Sequence, residues 1–198
     1  AELVADDGWP EIQASFFAGK VVANGQHLIQ MTAPTMAEDA TMVPISVTTL
    51  AAATQTPPIK KAYLITDANP VQLTATLHFH APVAPMQWST RIRLEKSTFV
   101  RVVIETEGGQ YWMHKVFIKT PGGGCGGGLS SDEAQLRAEA GKMRAQLAAP
   151  LKAGEINTLS LNLRHPMRTG FERTVYGYYA KPYFIHLAVM ENQRPLIS

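Results

Sequence analysis

The residue best suited to chemistry is Cys125, the only cysteine of the chain, set in Pro121-Gly122-Gly123-Gly124-Cys125-Gly126-Gly127-Gly128. Cysteine is normally among the most buried residue types, where it acts as a small hydrophobe. Three glycines on each side remove every neighbouring side chain that would cover it. At an average glycine frequency of roughly 7%, six flanking glycines arise by chance at about one in ten million per site. Glycine enters backbone regions closed to most residues and loses the most entropy on ordering. The pattern predicts an exposed thiol on a flexible arm. Such a run spans roughly 15 Å on average and about 24 Å when stretched. That reach would let the thiol enter a narrow site on another protein.

A fixed catalytic nucleophile needs the reverse, a rigid shell and an adjacent base. No His, Lys, Arg or acid precedes Cys125 until Lys119. The thiol therefore reads as carried, and no catalytic residue is expected. A flexible linker with an incidental cysteine stays open. A phosphate-cradling loop lacks its Gly-Lys-Ser/Thr, and a haem or zinc site lacks a second cysteine. A lone exposed cysteine in an oxidising compartment tends to pair between molecules, so a disulfide-linked homodimer is the main alternative.

Other polar residues carry weaker signals. His78 and His80 share a strand face, and with His114 from another strand they have a metal-binding spacing, although a solvated sheet face is commoner. Arg91, Arg93 and Arg101 could line a basic face for an anionic adduct or acidic partner, with a solvated face again the plainer reading. His165 reads as shaping the turn before Pro166. No metal and no cofactor is expected, apart from a covalent adduct on Cys125.

The elements that must position the arm are β-strands. The 198 residues are 45% hydrophobic and 17% charged, enough for a packed core and for one large or two small domains. A net charge of +2 leaves no electrostatic footprint for nucleic acid. No apolar run approaches the ~18 residues of a membrane span. The N-terminal Ala1 is compatible with a mature chain whose signal peptide has been removed. From about Gly19 to Thr120 the chain shows β-rich runs at His27–Thr32, Met42–Thr48, Ile59–Thr66, Leu73–His80, Trp88–Leu94, Phe99–Thr106 and Gln110–Thr120. Leu73, Ala75, Leu77 and Phe79 alternate with polar residues, as in a half-buried strand. Turn residues separate the runs, and Gly108-Gly109 reads as a tight hairpin. About seven short strands in 100 residues is the pattern of an immunoglobulin-type sandwich. The arm leaves from the end of its last strand.

Beyond the arm the period changes. Ser130 and Glu133 form a capping-box pattern, and Leu136, Ala140, Met143 and Leu147 recur at helical spacing. The spacing predicts a helix over 130–150, stopped by Pro150 and Gly154. Strand-like sequence resumes at Glu155–Leu163, and a final strand is expected near Tyr183–Met190.

These residues carry a resemblance. Ala37-Glu38-Asp39 ahead of Val43-Pro44-Ile45-Ser46-Val47, then Asp67-Ala68-Asn69-Pro70, Ser89-Thr90-Arg91-Ile92-Arg93-Leu94 and the glycine arm resemble SoxY, the thiosulfate-oxidation carrier. Leu163-Arg164-His165-Pro166-Met167-Arg168-Thr169-Gly170 and Pro182-Tyr183-Phe184-Ile185 resemble the start of SoxZ, its partner sandwich. Together they look like a fused SoxYZ-like carrier of the quinoprotein dehydrogenase-associated type. The resemblance implies an all-β chain: a SoxY-like immunoglobulin-type sandwich at 8–120, the arm at 121–128, a connecting helix at 130–150 and a partial SoxZ-like immunoglobulin-type sandwich at 154–198. It implies a non-enzymatic periplasmic protein with sulfur intermediates bound to Cys125. Gly122, Gly123, Gly124, Gly126, Gly127 and Gly128 would form the arm. Its implied partners are sulfur-oxidation enzymes such as c-type cytochromes and thiol hydrolases, or a quinoprotein dehydrogenase system. Two departures stand out. The family's arm is a free C-terminus, whereas this one continues into further chain. The SoxZ-like part is short of the ~100 residues of such a sandwich, so the expectation is an incomplete chain or completion by another molecule.

Overall fold

The computed structural model describes residues 4–50, 52–53, 56–80, 86–121, 133–153, 159–166, 183–191 and 193–198. The chain divides into two compact units, one comprising Ala1–Gly126 with His186–Ser198 and the other Gly127–Ile185.

The first unit is a two-sheet β-sandwich. One sheet holds β1 (Val22–Asn24), β8 (Tyr111–Ile118), β7 (Thr98–Thr106), β4 (Ile59–Thr66) and β5 (Leu73–His78), in that spatial order. Strand β1 runs parallel to β8, and the other pairs are antiparallel. The second sheet places β3 (Val43–Thr49) between β2 (Ile29–Thr32) and β6 (Gln87–Ile92). Val43, Ile45 and Val47 point inward from β3 and meet Ala62, Leu64, Val102 and Ile104 in one core. The period-2 pattern read from the sequence is thus the inward face of each sheet. At the β7–β8 hairpin, Gly109 takes φ 73°, a left-handed value suited to glycine. Thr106 N–H donates to the Gln110 carbonyl at 3.0 Å across this turn.

Strand β7 is buried on both faces, because the far side of its sheet is also covered. Helix α1 (Trp9–Phe16) has Pro10 in its first turn, where a missing N–H costs nothing. It packs Ile12, with the following Phe17, against Ile65 and Val103 in a second apolar cluster. Phe17 meets Tyr63 edge-on at 5.3 Å and Tyr111 at 5.8 Å. The pattern over β5 is cut by a register shift between Leu64 and Ile65. Leu73 consequently joins the helix-side cluster, whereas Ala75, Leu77 and Phe79 face the sandwich core.

The C-terminal hairpin of β11 (Val189–Glu191) and β12 (Arg194–Ile197) belongs to this first unit. Phe79 bridges to Ile197, and His78 and Ser198 exchange backbone hydrogen bonds of 2.6 and 2.9 Å. The end of β12 thus lies beside the end of β5. The final strand expected near Tyr183–Met190 begins only at Val189, and 183–188 hold no strand.

The second unit contains α2 (Glu133–Glu139) and an antiparallel ribbon of β9 (Met143–Leu147) and β10 (Leu159–Leu163). The helix expected over 130–150 thus ends at Glu139. Gly141 takes φ 78° and donates its N–H to the Arg164 carbonyl at 2.9 Å, which turns the chain into β9. Met143 and Leu147 lie four apart, a spacing that marks one face of a strand as well as of a helix. Glycine at a left-handed helix end decides between the two. Ser130 of the capping-box pattern lies outside the described residues.

Candidate functional site

Cys125 and its glycines, Gly122, Gly123, Gly124, Gly126, Gly127 and Gly128, lie outside the described residues; the described site is the root from which they depart. Strand β8 carries the chain to Ile118, fully buried in the core. Lys119 then donates its N–H to the Thr35 carbonyl at 2.9 Å and accepts from Ala37 N–H at 2.8 Å, in a parallel bridge opposite Met36. Thr120 N–H donates to Ser97 Oγ at 3.0 Å. Pro121 follows, exposed. Two loops therefore clamp the backbone up to the residue before Pro121.

The motifs that carried the resemblance build this clamp. Ala37 supplies a bond to Lys119, with its methyl buried. Asp39 accepts from the Thr41 hydroxyl at 2.7 Å and the Thr41 N–H at 2.8 Å. Those bonds hold its carboxyl below the ordinary range and close the turn into β3. Asn69 grips the loop beside Ser97: its amide donates to the Arg93 carbonyl at 2.7 Å, and its oxygen accepts from Glu95 N–H at 3.1 Å.

Asp67 does something the sequence did not reveal. Arg101, 0% exposed, donates from Nε to Asp67 Oδ1 at 2.9 Å and from Nη2 to Asp67 Oδ2 at 2.5 Å. Its Nη1 donates to Asp6 Oδ2 at 3.1 Å, and both Nη2 and Lys115 Nζ also pair with Asp6. The guanidinium lies 4.9 Å from the Trp9 ring centre and 5.1 Å from that of Phe99. Burial alone would raise the Asp6 carboxyl, but bonds from Arg101 and Lys115 hold it below its ordinary value. Burial likewise opposes the Arg101 charge, and the two carboxylates outweigh it.

This corrects the basic face drawn through Arg91, Arg93 and Arg101. Arg91 is exposed on β6, opposite Pro44, whereas Arg101 is buried on β7 in the other sheet. Spacing along a chain does not show that two strands belong to different layers. The grouping of His78, His80 and His114 also dissolves. His78 and His80 stack with centres 6.4 Å apart, and His80 Nε2 lies 2.9 Å from Ser198 Oγ. His114 sits on β8, three strands away across β7 and β4, or about 14 Å at ~4.8 Å per strand. Its Nδ1 accepts from Met31 N–H at 3.0 Å, and burial lowers its pKa. Among the described residues, no three His, Cys, Asp or Glu side chains are arranged to hold a metal. His165 meets Tyr183 edge-on at 6.4 Å, with its pKa lowered by burial against an opposing bond to the Tyr183 backbone.

Residues 13–125, more than half of the chain, match the family of the sulfur oxidation protein SoxY, and the match ends on Cys125. The chain belongs to the SoxY family. Among solved structures it is similar to the SoxY sulfur carrier protein of Chlorobium limicola f thiosulfatophilum, at 23% identity over 59% of this chain and 98% of that one, with a TM-score of 0.48. A superoxide reductase (neelaredoxin) of Ignicoccus hospitalis aligns at 16% identity over 48% of this chain and 80% of its own, TM-score 0.38. No curated protein matches the chain. In this SoxY-family chain the matched segment spans the sandwich from within α1 to the arm cysteine. No helix among the described residues is long and apolar enough to cross a membrane.

Proposed function

We propose that this protein is a covalent sulfur carrier, with Cys125 as the attachment point, and that the carrier itself catalyses nothing. The observation that carries the reading is the SoxY-family match running through the sandwich and ending on the one cysteine. The clamped root at Lys119 and Thr120 supports it, since a carrier must present its thiol from a fixed origin. A free thiol of pKa ~8.5 is a few per cent thiolate at neutral pH, and the thiolate is the reactive form. With tetrathionate as donor, Cys125 Sγ attacks an inner sulfur; the new S–S bond carries a thiosulfonate, the old S–S bond breaks, and thiosulfate leaves with the electron pair. The donor is the oxidant, so no further redox partner is needed.

The proposed compartment is the periplasm and the proposed partners are sulfur-oxidation enzymes. The SoxZ-like resemblance of 163–170 and the association with quinoprotein dehydrogenases extend the reading to a fused carrier. Because the chain continues past Cys125, a partner channel must accommodate two backbone strands. Intact mass of protein treated with tetrathionate, beside the Cys125→Ser variant, tests the proposal. A thiosulfonate increment that a reductant removes and the variant lacks is expected. Only free thiol or a plain disulfide dimer would replace the carrier with a redox-linked interaction module.

A further inference from the structure

The Arg101 cluster has the composition of an anion receptor whose seat is taken by the chain itself. Arg101 Nη1, Arg101 Nη2 and Lys115 Nζ all donate to one carboxylate, that of Asp6. Asp67 neutralises Arg101 through a separate pair of bonds to Nε and Nη2. Lys115 stands 5.1 Å over the Phe99 ring, and Trp9 covers the guanidinium. With Asp67 taking Nε and one Nη2 bond, Asp6 supplies the acceptor for the rest of this guanidinium, which is 0% exposed while Asp6 is in place. Asp6 is a loosely built occupant. Residues 4–8 lie outside any helix or strand, Asp6 is 24% exposed, and its backbone tie to α1 is a 3.5 Å bond from Trp9 N–H.

We propose that Arg101 and Lys115 form a receptor for a small tetrahedral oxyanion and that Asp6 is the chain's own competitor for it. A tetrahedral oxyanion offers at least three oxygens to the three convergent donors, where a carboxylate has two. With Asp6 withdrawn, Arg101, Lys115 and Asp67 leave one net positive charge facing the opening. A tethered carboxylate competes at an effective concentration in the millimolar range or above. Free anion therefore displaces it only when abundant, and entry releases residues 4–8 from the sheet. The site is independent of Cys125, so its failure would leave the carrier reading untouched.

The probe is inorganic sulfate, with sodium chloride at matched ionic strength as control. For Asp6→Ala, melting temperature should rise about 3–6 °C at sulfate some tenfold above its dissociation constant. Wild type should move by less than ~1 °C at that concentration. Asp6→Ala with Lys115→Met should lose the sulfate-specific gain. Equal gains in wild type and Asp6→Ala, or a gain that survives Lys115→Met, would overturn the receptor and leave Asp6 a structural fastener. Should Asp6→Ala fail to fold, Asp6→Asn replaces it. Wild type gives a second reading: amide exchange of residues 4–8 should quicken in high sulfate relative to chloride, and unchanged exchange refutes displacement.

Discussion

Replacing Arg101 by methionine would remove the cation that donates to Asp67 through Nε and Nη2 while nearly preserving side-chain volume. Asp6 would keep Lys115, but Asp67, only 12% exposed, would be left as an uncompensated carboxylate. Breaking a buried pair by deleting one partner costs about 3–5 kcal/mol. With a urea slope near ~2 kcal/mol per molar, the unfolding midpoint should fall by roughly 1.5–2.5 M. The attribution can be checked by adding Asp67→Asn, which removes the orphaned charge and should restore more than half of the loss. Acid gives a second check. The Asp6 carboxyl is held below its ordinary 3.8, so its stabilising contribution is complete above that value and is lost as pH falls through the folded pKa. The wild type should therefore lose stability in strong acid, while Arg101→Met, in which Asp6 keeps only its Lys115 partner, should lose less. A midpoint within ~0.5 M of wild type, or no recovery with Asp67→Asn, would refute the reasoning.

Two further perturbations probe the frame around the arm. Protonation of His114 would break its acceptor bond to Met31 N–H, and its folded pKa lies below the ordinary 6.5. Its contribution is therefore complete above pH 6.5 and lost as pH falls toward the folded value. Urea midpoints from pH 8 to 5 should decline, and His114→Gln should flatten part of that slope; an identical slope would show that the bond is irrelevant. Asn69→Ala removes the grip on Arg93 and Glu95 at the loop that anchors Thr120. It should cost about 1–3 kcal/mol and speed amide exchange at Glu95 and Thr120, and unaltered exchange at both would disprove the clamp.

Much of the sandwich was legible because each inward face repeats every second residue, as in Val43, Ile45 and Val47, and Gly109 marked its own turn. Other elements were not. Helix α1 buries only Ile12 within its eight residues, too little to show a period. Met143 and Leu147 satisfied helix and strand alike, and the left-handed turn at Gly141 settled them. The C-terminal hairpin meets the end of β5 through Phe79 and Ile197, a contact spanning more than 110 residues that no local pattern records.

The chain's residue types alone placed one thiol among six glycines and gave a β-rich body with the SoxY-family motifs. Those are properties of composition and of neighbours along the backbone. What each motif does was decided only in three dimensions. Asp67 and Asn69 sit two residues apart, yet one neutralises a buried arginine and the other clamps the loop beside the arm root. Arg101 reads as a surface charge until α1 and residues 4–8 close over it. Charge pairing and burial depend on which strands become neighbours, and that follows from packing the whole sandwich.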